Sequence, residues 1–196
     1  AQAGQEAAVQ MSGSLKALAC GLFKIANDIR WLGSGPRLGL GELVLPAVQP
    51  GSSIMPGKVN PVIAEALIMA CAQVIGNDAA IAVGGLTGYF QLNTMLPLIG
   101  RNLIQQIRYL TGGCAIFTDK LLRGLAVDEE RIEAGNERSL ALVTGLVPAI
   151  GYDRAAEIAK EAHRTRRTIR EVAREQEVLP EADLDRLLDP RHQTGE

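Results

Sequence analysis

Histidine is scarce in this chain. His163 and His192 are the two, both near the C-terminus, so a metal site built on paired histidines has little to draw on. Cysteine is sparse as well. Cys20, Cys71 and Cys114 stand far apart in apolar contexts and form no CxxC pair. Three is an odd number for a disulfide framework, and they read as buried thiols of a reducing cytoplasm. Neither charge dominates. The formal net charge is -2, which removes any global attraction to nucleic acid or to an acidic membrane surface. Residues 1–10 hold no basic n-region and no apolar run, so no signal peptide is read there, and the start resembles a cut through a helix. The longest apolar stretch, 62–83, contains Glu65, Gln73, Asn77 and Asp78. Those groups are costly in lipid, so a buried helix of a soluble protein is expected rather than a membrane span. Gly84, Gly85 and Gly88 fit neither GxGxxG nor a P-loop and read as a helix stop. No metal and no cofactor is expected.

What is present favours helix. The chain is 47% hydrophobic but only 4% aromatic, with Ala, Leu and Ile prominent, a soluble globular composition rich in helix formers. From Gln5 to Leu32, apolar residues recur at Met11, Leu15, Leu18, Leu22, Ile25, Ile29 and Leu32. Alternating spacings of four and three predict a seam for packing along another long helix. Glycines and prolines then punctuate residues 33–57, a connection long enough to be functional. A second helix is predicted from about Asn60 or Pro61 to Gly84, apolar nearly all round. A third is predicted from about Leu92 to Leu122, with Pro97 near its start. Beyond Gly124 the elements shorten. Asp128 followed by Glu129 and Glu130 reads as an N-cap, Thr168 to Glu171 as a capping box, and Pro180 and Pro190 bracket a short helix. The expected architecture is all-α: a long-helix bundle over 1–124 and a small helical domain over 125–196.

The loop Gly51-Ser52-Ser53-Ile54-Met55-Pro56-Gly57-Lys58-Val59-Asn60 is the chemically suggestive stretch. It runs into a helix N-terminus, where unpaired N–H groups and a partial positive charge favour anions. Lys58 adds a point charge and Asn60 a donor. On the residues alone, a carboxylate or phosphate site and a helix-capping turn are equally good readings. Glu65, one turn into the helix, reads by itself as a carboxylate favoured by the dipole.

The string from Gly51 to Pro61 resembles the signature of the fumarase/aspartase superfamily, and the likeness extends along the chain. Lys24 to Arg30, Gly33 to Arg37, Gly39 to Glu42, Gln73 to Asn77, Gln91-Leu92-Asn93, Leu142 to Thr144 and Ile150 to Tyr152 are similar to the C-terminal part of class II fumarases. The resemblance implies a helical-bundle lyase that hydrates fumarate reversibly to (S)-malate, a tricarboxylic acid cycle reaction, through an aci-carboxylate intermediate. It implies that Ser52 removes the C3 proton, and that Ser53, Lys58, Val59 and Asn60 contact the substrate. It implies that Glu65 orients and charges a catalytic histidine. That histidine lies upstream in the family, and His163 and His192 do not match it. The resemblance further implies a homotetramer with active sites shared between subunits, located in the cytoplasm or, in a eukaryote, the mitochondrial matrix. The chain therefore reads as a piece expected to be inactive alone.

Three other readings remain to be weighed. Aspartate ammonia-lyases share nearly the same loop. Gly57 before Lys58 favours a fumarase, whereas Gln91 before Leu-Asn cuts the other way. A non-catalytic assembly domain would keep the helices without turnover. The run Arg164, Arg166, Arg167, Arg170 and Arg174 could bind a polyanion, but Glu157, Glu161, Glu171 and Glu175 are interleaved, which favours a solvated face with i,i+4 pairs.

Overall fold

The computed structural model describes residues 2–195. The chain divides into two compact units that meet at Val127 and Asp128.

The first unit is built on three long helices: α1 (Glu6–Leu32), α2 (Val62–Leu86) and α3 (Leu96–Lys120). α2 packs along its length against both others. Its buried positions Ala64, Leu67, Cys71, Val74, Asp78 and Ile81 recur every three or four residues, a heptad-like stripe suited to nearly parallel helices. The stripe on α1 differs from the predicted seam. Leu15, Leu22 and Ile29 do pack on the core, but they alternate with buried Ser12, Ala19 and Ala26. Met11, Leu18 and Ile25 are 46%, 52% and 50% exposed. Small residues on the inner stripe let α1 and α2 approach closely, and the bulkier residues one position earlier turn outward.

The helix stop falls close to the predicted place: Gly84 and Gly85 lie in the last turn of α2, which ends at Leu86, and Gly88 lies in the connection beyond. A Cβ at Gly84 would sit 2.9 Å from Ile99 Cγ1, and one at Gly85 would sit 2.5 Å from Val9 Cγ2, so these glycines admit neighbouring side chains. The thiols differ from expectation: Cys71 is buried, Cys20 exposed and Cys114 intermediate. Burial pushes the Cys71 thiol up from its ordinary value, which keeps it protonated and inert. α3 begins at Leu96, later than predicted, because Asn93 organises the turn before it. The buried Asn93 side chain donates to the Gly84 and Thr87 carbonyls at 3.0 and 2.8 Å and accepts from the Met95 amide at 2.8 Å.

α2 is long and apolar enough to cross a membrane by length and composition, with mean hydropathy 1.7 over its best window. It nevertheless carries a polar layer into the bundle. Asp78 accepts from Ser12 Oγ at 2.7 Å and from Lys16 Nζ at 2.5 Å, and Gln106 donates to Ser12 Oγ and the Val74 carbonyl, both at 3.0 Å. Burial pushes the Asp78 carboxyl up, but hydrogen bonds from Lys16 and Ser12, with the Lys16 charge, outweigh it and hold the carboxyl below its ordinary 3.8. The Asp78 carboxylate therefore contributes stability above that value, lost as pH falls through the lower folded value. Lys16 is held above its ordinary 10.5 by the hydrogen bond and charge of Asp78, so its share is lost only as pH rises beyond that range. Asp78→Asn is expected to cost about 1–2 kcal/mol at pH 7, discounted because Lys16 is half exposed. The difference from wild type should shrink as pH falls below 3.8 through the lower folded value, as urea unfolding at neutral and at strongly acidic pH would read.

In the second unit α4 (Glu129–Arg138) leads into a 3-10 run (Leu140–Leu146), followed by α5 (Val147–Ile150), α6 (Tyr152–Thr165), α7 (Ile169–Glu175), α8 (Glu181–Leu187) and α9 (Pro190–Thr194). The predicted caps are present. The Asp128 side chain accepts from the Arg131 amide, and Thr168 and Glu171 form a reciprocal capping box. Leu146, Ile158, Ile169, Val172, Leu184 and Leu188 make the core. Four of the five clustered arginines are paired. Arg164 meets Glu161 at 2.6 Å, Arg170 meets Glu137 at 3.2 Å and Asp185 at 2.5 Å, Arg174 meets Glu181 at 2.6 Å, and Arg167 pairs with Glu175.

Candidate active site

The connection between α1 and α2 is tied down at several points. Leu43 and Val44 (β1) pair antiparallel with Ala126 and Val127 (β2), Leu43 opposite Val127. A Cβ on Gly33 would lie 2.6 Å from Leu45 Cγ, and one on Gly124 would lie 3.0 Å from Pro46 Cγ. The Ser34 hydroxyl donates to the Trp31 carbonyl at 2.6 Å and accepts from the Leu40 amide at 3.1 Å. These contacts deliver residues 51–60 to the start of α2.

That loop is pinched at its ends. Asn60 Nδ2 donates to the Gly51 carbonyl at 2.6 Å. The Lys58 carbonyl comes so close to Gly51 that a Cβ there would lie 2.0 Å from its oxygen, so residue 51 has no room for a side chain. Gly57 has φ +81, a left-handed backbone that glycine adopts without steric cost. The Lys58 amide closes the turn on the Met55 carbonyl at 3.2 Å.

Within this frame the Ser52 Oγ accepts two backbone hydrogen bonds, from the Ile54 amide at 3.1 Å and the Met55 amide at 3.0 Å. Two N–H dipoles aimed at one hydroxyl oxygen favour its negatively charged form. Among the described residues, no carbonyl accepts from the amides of Ser53, Val59 or Asn60. Ser52, Lys58 and Val59 line an open groove of about 550 Å³. Ser53 is exposed and outside that lining. Asn60 spends one of its donors on loop closure.

Val59 also borders a second hollow of about 300 Å³, shared with Arg30, Trp31, Asn60 and Glu65. Glu65 Oε1 lies 3.5 Å from Arg30 Nε, and both side chains are about two-fifths exposed. Sequence reasoning did not anticipate Arg30 here. It lies in the run Lys24 to Arg30 that carries part of the family likeness, and the helical path of α1 brings it to the first turn of α2. Among the described residues, no three His, Cys, Asp or Glu side chains gather as a metal site would need. His163 and His192 lie in the second unit, on α6 and α9.

Long packed helices joined by a connection that ends in this Ser-Ser loop are the arrangement that matches known proteins of the fumarase/aspartase class. Residues 1–76 match the family model described as "Lyase", and residues 142–195 match "Fumarase C C-terminus". The chain is 54% identical over 186 residues to a class II fumarate hydratase of Thermosynechococcus vestitus, covering 95% of this chain and 40% of that one. It is 51% identical over 195 residues to its counterpart in Myxococcus xanthus, covering 100% and 42%. The crystal structure of the class II fumarase from Schistosoma mansoni superposes with a TM-score of 0.91 at 41% identity, over 96% of this chain and 40% of that one. Over nearly its whole length the chain is similar to the C-terminal part of class II fumarases. It spans about two-fifths of the length of those curated relatives.

Proposed function

We propose that this chain supplies the base-bearing part of a fumarate hydratase, which interconverts fumarate and (S)-malate. The observation that carries the reading is the Ser52 hydroxyl, held under two amide N–H groups at the edge of a groove that Lys58 also lines. A serine is a weak base in water. Amide dipoles that favour its alkoxide make it competent to take a carbon-bound proton. Proton loss from C3 of malate places extra charge on the adjacent carboxylate, which becomes an aci-carboxylate. Lys58 and the amides of Ser53, Val59 and Asn60 are suited to hold that charge.

Glu65, already drawn to Arg30, is the carboxylate that would orient a histidine supplied by the part of the family architecture outside this chain. In a homotetramer of a longer protein that carries both parts, neighbouring subunits would share the site. The outward apolar residues Met11, Leu18 and Ile25 on α1, Met69 and Val83 on α2 and Ile104 on α3 are suited to bury against other subunits. On this reading the chain alone associates and does not turn over substrate, and the assembled protein works in the cytoplasm.

The experiment is to offer malate and aspartate separately to the assembled enzyme and follow fumarate by its absorbance. Fumarate from malate, at least tenfold faster than from aspartate, is expected. Equal or faster release from aspartate would make the protein an ammonia-lyase, and no release from either would leave a scaffold.

A further inference from the structure

The second unit contains a hollow that the fumarate chemistry does not use. It measures about 620 Å³, and Arg138, His163, Arg164, Arg166, Arg167 and Thr168 line it, with no carboxylate among the lining residues. Four arginines and a histidine border this one open concavity, and each side chain can donate hydrogen bonds.

The carboxylates that reach these groups come from outside the lining. Glu161 pairs with Arg164 and Glu175 with Arg167, while Glu171 accepts from the Thr168 amide in the capping box. Arg138 donates only its Nε, to the Ala134 carbonyl at 3.0 Å. The Arg166 side chain has no hydrogen-bond or ion-pair partner among the described residues. Its backbone stands in the left-handed region (φ 58, ψ 32) at the end of α6. There the amides of Arg166 and Arg167 cap the carbonyls of His163 and Ala162. Capping reduces the negative end of the helix dipole that would otherwise oppose an anion.

We propose that this hollow binds a compact oligophosphate. Guanidinium forks match phosphate oxygens two at a time, more closely than an ammonium would. Glu161 and Glu175 offset two of the four arginine charges, so Arg138 and Arg166, which have no carboxylate partner among the described residues, favour a multiply charged anion. The volume lies in the range of small-molecule sites and exceeds what a single orthophosphate fills. The site is independent of the reaction at Ser52 and stands or falls separately from it.

The test is calorimetric titration of the full chain with tripolyphosphate at low salt. Saturable 1:1 binding is expected, weakened at least tenfold in the double variant Arg138→Gln, Arg166→Asn. Asparagine tolerates the left-handed backbone, so the thermal midpoint should be unchanged. Arg154→Gln, which removes a cation of the same unit outside the hollow, should leave affinity within twofold. Orthophosphate and succinate should bind at least tenfold more weakly than tripolyphosphate. Unsaturable binding would overturn the proposal, as would equal losses in the Arg154 variant and the double variant, or succinate binding as tightly as tripolyphosphate.

Discussion

Replacing Ser52 by alanine in the assembled enzyme is expected to lower kcat for malate dehydration about 10³-fold or more, the scale on which a positioned base acts, while KM changes little. Each part of that expectation has a structural cause. The Ile54 and Met55 amides converge on the Ser52 Oγ, so the hydroxyl is the one atom of the loop whose negative charge the backbone supports. Alanine removes that atom and leaves the two amides facing the groove. Water can satisfy them there but is not held where it can take the proton. Lys58, which would hold the substrate carboxylate, is untouched, so binding persists. The loop lies outside both buried clusters, so assembly and thermal midpoint should match wild type. Steady-state kinetics beside sedimentation would read these outcomes. A variant within tenfold of wild type would move the base elsewhere.

Gly51→Ala is expected to cost about 10²-fold in kcat with little loss of global stability, since displacing reacting groups by an ångström has effects of that size. The methyl carbon would sit 2.0 Å from the Lys58 carbonyl oxygen and 2.6 Å from its carbon. Both are backbone atoms, and neither can yield without moving the loop. Separating the strands breaks the bond from Asn60 to the Gly51 carbonyl and shifts Ser52 relative to Lys58. The helices beneath are held by the α1–α2–α3 core, which this change does not enter. The variant should unfold within a few degrees of wild type while losing turnover. Unchanged kinetics would show that the loop opens without consequence and that its pinched geometry is not the catalytic one.

Much of the architecture could be read before any coordinates. Three long apolar stretches separated by glycine and proline give three long helices, because periodicity and chain breakers are local properties. What stayed hidden depends on partners distant in sequence. Apolar spacing marked Met11, Leu18 and Ile25 as strongly as Leu15, Leu22 and Ile29. Only the approach of α2 distinguishes the inner stripe, and it selects Ser12, Ala19 and Ala26 to complete it. Gly84 and Gly85 read as a helix end because glycine is a poor helix former, and α2 does end close by, at Leu86. That Ile99 and Val9 need the space there was not legible.

At the loop, punctuation and the family likeness singled out residues 51–60. Composition could not tell which amides meet which oxygen, so the two bonds to Ser52 had no signal. The approach of Arg30 to Glu65 joins residues on two helices. The likeness around Lys24 to Arg30 is the one trace of it in the sequence.

Hydrogen exchange at C3 of malate, followed by NMR in deuterated buffer with wild-type and Ser52→Ala enzyme, isolates the proton-transfer step from release of water. Wild type should incorporate deuterium at C3, and the variant should incorporate none above the uncatalysed rate. Incorporation by the variant at the wild-type rate would contradict the assignment of Ser52 as the base.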